Sequence, residues 1–131
     1  MSKLGRPLAD TILLVEDELL IRMALAQHLE ECGYTVLEAE NSTEAIKLLL
    51  GHSEIAVVLT DVQMPGEMDG IGLAKWVIHY KPQIAVMIAS GHAAKDIALK
   101  ELCGAHSFSK PFNYDELTTH IRGAIQARRL S

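Results

Sequence analysis

Residues 55–70 read IAVVLTDVQMPGEMDG. The stretch Ile55–Leu59 is apolar at every position. An apolar run without alternation is the pattern of a parallel strand buried on both faces. The run leads through Thr60 to Asp61, so a carboxylate stands where a buried strand leaves its sheet.

Runs of the same kind lie on either side. Thr11–Val15 (TILLV) predicts a first strand and Ile84–Ala89 (IAVMIA) a fourth, while Thr35–Ala39 (TVLEA) mixes polar and apolar residues as an edge strand does. Ser107–Ser109 predicts a short fifth strand. Helical patterns fill the intervals. Leu20, Ala24, Leu25, Leu29 and Cys32 give one helical face, closed by Gly33 just past the helix end. Asn41 with Glu44 has capping-box spacing, opening a helix that runs to Leu50. A third helix is expected from about Gly70 to His79, before Pro82, and a fourth over Ala94–Leu102, stopped by Gly104. Asn113 and Glu116 form a second capping box, and Leu117, Ile121 and Ile125 share one face of the last helix. Five βα units imply an α/β fold: a five-stranded parallel sheet flanked by five helices. The common order is 2-1-3-4-5, the flavodoxin-like arrangement, with its switch point between strands 1 and 3.

The 131 residues suit one domain, here 9–129, preceded by a loose tail over 1–8. Hydrophobic residues make up 49% and charged residues 22%, an ordinary globular balance that argues against disorder. A net charge of −5 argues against a nucleic-acid surface, which needs clustered Lys and Arg. The one basic pair, Arg128–Arg129, suits a helix C-terminus. Cys32 and Cys103 form neither a disulfide framework nor a CxxC, and read as reduced, half-buried thiols. No signal region or membrane-length apolar run is present, so no membrane role and a cytoplasmic location are expected.

The chemistry lies in the residues just past each strand. Glu16 and Asp17 come after the first, Asp61 after the third, Ser90 after the fourth and Lys110 after the fifth. In a parallel sheet these positions share the carboxyl edge, where open α/β folds bind ligands. Taken singly, each has a plain structural reading. The acid pair suits a helix N-terminus, Asp61 a turn cap, Ser90–Gly91 a turn and Lys110 a solvated surface. Taken together, they form a chemical set. Three carboxylates in one crevice repel one another and call for a cation, and oxygen ligands favour a hard one such as Mg²⁺. A carboxylate can act as nucleophile and become an aspartyl phosphate, and a lysine and a hydroxyl can hold phosphoryl oxygens. The set points to Mg²⁺-assisted phosphoryl chemistry. The six His show no ligand spacing, although His92 falls two residues past Ser90. GIGLAK at Gly70 lacks the third glycine and the preceding strand of a dinucleotide fingerprint. Trp76 and Tyr80, one helical turn apart, either pack together at the surface or mark a contact patch.

The segments ILLVEDE, TDVQMPGEMDG, ASG and SKPF together resemble the receiver domain of two-component response regulators, over roughly Thr11 to Arg128. The resemblance implies that Asp61 is the phosphoacceptor, loaded from a phosphohistidine on a sensor histidine kinase or phosphotransfer protein. It implies Mg²⁺ held by Asp17, Asp61 and the backbone carbonyl of Gln63, with Glu16 assisting through water. It gives Ser90 and Lys110 the phosphoryl group and implies a commonly cis Lys110–Pro111 bond. A downstream protein would read the switch, with no nucleic acid or membrane involved and a homodimer open to it. The chain would catalyse only its own phosphorylation and dephosphorylation.

Two departures stand out. Glu67 is extra relative to the family's D-x-x-M-P-x-M-D-G, so the loop after the third strand gains one residue. The stretch from Gly104 to Lys110 is one residue shorter than usual. Counting back from Lys110 places Ser107 at the family's aromatic switch position and leaves Phe108 as core. The usual aromatic switch is then absent. The chain ends near the end of its last helix, so the expectation is a single-domain regulator or phosphorelay element, with a receiver cut from a longer regulator as the alternative. A Mg²⁺-dependent aspartyl-phosphate phosphohydrolase would want a second acid two residues after the nucleophile, where Gln63 stands. A scaffold pseudo-receiver would not need the intact acid pair, Asp61, Ser90 and Lys110.

Overall fold

The computed structural model describes residues 10–90, 105–109 and 113–130; of 90, 105–109 and 128–130 only the backbone is described. Within these limits the chain runs β1 (Thr11–Val15), α1 (Leu19–Glu31), β2 (Thr35–Ala39), α2 (Ser42–Gly51), β3 (Ile55–Asp61), α3 (Gly70–Tyr80), β4 (Ala85–Ser90), β5 (Ala105–Ser109) and α4 (Tyr114–Leu130). All strands pair in parallel, in the order β2-β1-β3-β4-β5. The expected α/β fold and strand order are observed. The helix expected over Ala94–Leu102 and the tail over 1–8 lie outside the described residues.

The sheet is buried on both faces because β1, β3 and β4 carry apolar side chains that alternate between them. Leu13, Val15, Val58, Val86 and Ile88 pack with Leu49 of α2 and with Leu73 and Val77 of α3. Ile12, Leu14, Val57, Leu59 and Met87 pack on the other side with Leu25 and Leu29 of α1 and Leu117 and Ile121 of α4. Full burial of each such side chain contributes about 1.5–3 kcal/mol. Among the described residues no helix is long and apolar enough to cross a membrane.

The caps form as their residues predict. The Asn41 side chain accepts from the Glu44 N–H at 2.9 Å, while the Glu44 carboxylate accepts from the Glu40 N–H at 3.0 Å, one residue before the usual reciprocal partner. Asn113 accepts from the N–H groups of Asp115 and Glu116 at 2.7 and 3.1 Å. At the end of α1, Gly33 takes φ +100°. The Tyr34 N–H there reaches back to the Leu29 carbonyl and the Gly33 N–H to that of Glu30, which satisfies two terminal carbonyls.

Several boundaries and one face differ from the sequence reading. β3 continues to Asp61 because Asp61 pairs with Ala89 of β4. β5 extends back to Ala105, paired with Val86. The buried face of α1 is Leu25, Ala26 and Leu29; Leu20 is 79% exposed, and Ala24 and Cys32 are also exposed. With about 3.6 residues per turn, Leu20 lies across the helix axis from the Leu25–Leu29 pair. The Cys32 thiol is accordingly at the surface, not half-buried. Trp76 and Tyr80 do pack together, ring centres 5.3 Å apart, with Tyr80 mostly exposed.

Candidate metal centre

β1 and β3 are neighbours, with Val15 beside Thr60 in the ladder. The residues just past each strand therefore emerge side by side at the carboxyl edge, at the point where the strand order reverses. One carboxylate oxygen from each of Glu16, Asp17 and Asp61 comes within 4.8 Å of the others. Glu16 is buried, Asp61 half-buried and Asp17 exposed, so the cluster grades from the sheet edge into solvent. Two unit charges about 4 Å apart repel by roughly 4 kcal/mol at an effective dielectric near 20. A divalent cation converts that repulsion into attraction, and an all-oxygen donor set fits Mg²⁺.

Backbone contacts hold the cluster in place. The Glu16 N–H donates to the Ala39 carbonyl at the end of β2 at 3.0 Å. The Glu16 carboxylate accepts from the Glu18 N–H at 3.1 Å, and the Glu16 carbonyl accepts from Arg22 Nη1 at 2.8 Å. The Thr60 hydroxyl donates to the Asp61 carbonyl at 2.9 Å. The Val62 N–H reaches the Ala89 carbonyl at 3.2 Å, and Val62 in turn accepts from the Gly70 N–H at 2.8 Å. A Cβ at Gly70 would collide with the Asp61 carbonyl oxygen. Only glycine lets α3 begin this close to the backbone of Asp61.

The loop between β3 and α3 is pinned at its far end. Gly66 takes φ +105°. The Ser42 hydroxyl of α2 donates to the Met68 carbonyl at 3.0 Å, and the Asp69 side chain caps α3 by accepting from the Gly72 N–H at 2.9 Å. Glu67 in this loop is exposed to solvent. Gln63 is exposed near the start of this loop, two residues after Asp61.

Of the residues singled out from sequence, Glu16, Asp17 and Asp61 come together. Ser90 ends β4 one residue past Ala89, the ladder partner of Asp61, and itself pairs with Ser109. The Ser90 side chain, Lys110, Pro111 and His92 lie outside the described residues. In the β4–β5 ladder Ser107 stands beside Ile88 and Phe108 beside Ala89; their side chains are not described either. Two features escaped the sequence reading. One is Arg22, whose guanidinium joins the Glu16 carbonyl to Glu38 of β2. No short motif marks it. The other is a cavity of about 360 Å³ lined by Leu14, Ile21, Leu25, Leu59 and Tyr114, with Glu16 and Asp61 also on its wall.

Comparison with known proteins gives a consistent match. Residues 12–122 fit the model of the response regulator receiver domain. The C4-dicarboxylate transport transcriptional regulatory protein DctD of Rhizobium meliloti is 33% identical over 124 residues, which cover 93% of this chain and 26% of DctD. A response regulator receiver domain protein from Clostridium thermocellum superposes with a TM-score of 0.83 at 33% identity, covering 92% of this chain and 97% of that one. The response regulator TrrA of Thermotoga maritima, solved in complex with Mg²⁺-BeF, superposes at 0.77 with 28% identity, covering 88% and 98%. The chain spans about a quarter of the length of the first curated relatives it matches.

Proposed function

The chain belongs to the response-regulator receiver-domain family, and we propose that it works as a phosphorylation switch with Asp61 as phosphoacceptor. The observation that carries this reading is the meeting of the Glu16, Asp17 and Asp61 carboxylates at the carboxyl edge of β1 and β3. In the step proposed, an Asp61 carboxylate oxygen attacks the phosphorus of a phosphohistidine on a sensor kinase or phosphotransfer protein. A P–O bond forms as the N–P bond breaks, and the electron pair stays on the imidazole nitrogen. Water later attacks the phosphorus of the acyl phosphate, the P–O bond to Asp61 breaks, inorganic phosphate leaves and Asp61 returns to its carboxylate. The chain thus turns over only its own phosphoryl group.

Asp17, Asp61 and the Gln63 carbonyl would hold Mg²⁺, with Glu16 assisting through water. The ion, when bound, supplies positive charge to the phosphoryl oxygens. Ser90 and Lys110 take those oxygens as the switch closes, each charge-assisted contact contributing about 1.5–3 kcal/mol. Ser107 occupies the switch position on β5. The first two turns of α1 support protein docking beside the site, because Leu19, Leu20 and Met23 are all more than half exposed there. The reading carries a cytoplasmic location and a downstream protein target, reached as a single-domain regulator or as a relay element.

The test is intact-mass measurement after incubation with acetyl phosphate and Mg²⁺. The wild type gains one phosphoryl mass and Asp61→Asn gains none. Labelling of Asp61→Asn at the wild-type rate would overturn the assignment.

A further inference from the structure

Arg22 sits one turn into α1, with its side chain only 14% exposed. Its Nη1 donates to the Glu16 carbonyl at 2.8 Å and its Nε to Glu38 Oε1 at 3.2 Å. Glu38 lies on β2, beside Leu14 in the ladder. Glu16 and Asp17 sit in the turn between β1 and α1, outside any ladder. Their backbone is set by a few anchors: the Glu16 N–H on Ala39, the Glu18 N–H on the Glu16 carboxylate, and the Arg22 guanidinium on the Glu16 carbonyl. A planar guanidinium donates in two directions from one rigid group, whereas an ammonium is a point charge on a flexible stem. Ion pairs near the surface contribute little stability by themselves. The geometry therefore matters more than the Arg22–Glu38 attraction.

We infer that Arg22 is a positioning residue: by tying the Glu16 carbonyl to the edge strand, it holds the Glu16–Asp17 turn in the arrangement that accepts a divalent cation. The inference rests on the reading of the acidic cluster as a Mg²⁺ site. Removing Arg22 has two opposed effects. The lost positive charge favours a cation, and the lost anchor disfavours it. A replacement of both Arg22 and Glu38 leaves the net charge unchanged and isolates the second effect.

The experiment is calorimetric titration of the full chain with Mg²⁺, with a thermal melt in EDTA to confirm folding. The variant Arg22→Met with Glu38→Gln binds Mg²⁺ roughly tenfold more weakly than wild type, the loss typical when a group that orients metal ligands is removed. Glu38→Gln alone removes the charge but keeps an amide oxygen that can still accept from Arg22 Nε, so both ends of the tie remain and the affinity stays within about twofold, as expected for one surface ion pair. Arg22→Lys falls between wild type and the double variant. Wild-type affinity in the double variant, or a full loss in Glu38→Gln alone, overturns the inference while leaving the Mg²⁺ site standing. Wild-type affinity in Arg22→Lys overturns it even if the double variant does not fold. Failure of the wild type itself to bind Mg²⁺ removes both this inference and the reading it rests on.

Discussion

α1 and α4 cover the same face of the sheet, yet they use their apolar residues differently. α4 turns Leu117, Ile121, Ala124 and Ile125 inward and leaves mainly polar residues outside. α1 does the same in its second half with Leu25, Ala26 and Leu29, but in its first turns Leu19, Leu20 and Met23 face solvent. The fold accounts for the apolar residues of α4. It does not account for the first turns of α1, which lie beside the acidic cluster. Exposed apolar side chains grouped beside the proposed phosphorylation site suit the protein docking proposed there.

The largest effect is expected in denaturation. Leu117→Ala should lose about 2–5 kcal/mol of stability, because the fully buried side chain leaves a cavity between α4 and the sheet. A near-neutral result in chemical unfolding would show that α4 is not integral to the core.

A smaller effect comes from the joint between the two helices. Tyr34, just past α1, has its phenol pKa raised, first by burial and then by Asp10 and Cys32, with Arg122 of α4 opposing. A folded pKa above the ordinary value of 10.0 means the neutral phenol is favoured by the fold. That stability is fully present below the unfolded pKa and is lost as pH rises through the folded one. Stability measured from neutral pH to above pH 10 should therefore fall more in wild type than in Tyr34→Phe. Parallel curves would remove burial as the dominant cause.

The smallest stability change belongs to the exposed patch. Leu20→Ser should alter stability by no more than about 0.5 kcal/mol. It should nevertheless slow loading from a phosphohistidine donor while leaving loading from acetyl phosphate unchanged. Equal rates from both donors would return Leu20 to the class of incidental surface residues.

The same contrast explains what the sequence could and could not convey. β1, β3 and β4 were legible because burial on both faces leaves no polar position in the run. The acidic cluster was legible because carboxylates come directly after the two strands flanking the switch point. The buried face of α1 is legible only in part, in Leu25 and Leu29, because two apolar stripes share that helix, one for the core and one for solvent, and periodicity alone does not say which is which. Arg22 was invisible for a different reason. Its role depends on β2 lying beside β1, which brings Glu38 within reach, and on a backbone carbonyl, which carries no sequence signal. The ends of β3 and β5 were misplaced because ladder pairing to β4, not composition, extends them.

The proposed switch needs a cation site in which Glu16, Asp17 and Asp61 are held together against their mutual repulsion. A thermal melt of wild type, Asp17→Asn and Asp61→Asn, each in EDTA and in excess Mg²⁺, tests it most directly. Mg²⁺ bound only by the folded state adds roughly 2.7 kcal/mol at a hundred times its dissociation constant. With such a site, each mutant melts above wild type in EDTA, having lost a repelling charge, and the Mg²⁺-dependent rise nearly disappears. Mutants that melt below wild type in EDTA yet keep the full Mg²⁺ rise would contradict it, making these aspartates structural caps and placing the cation elsewhere.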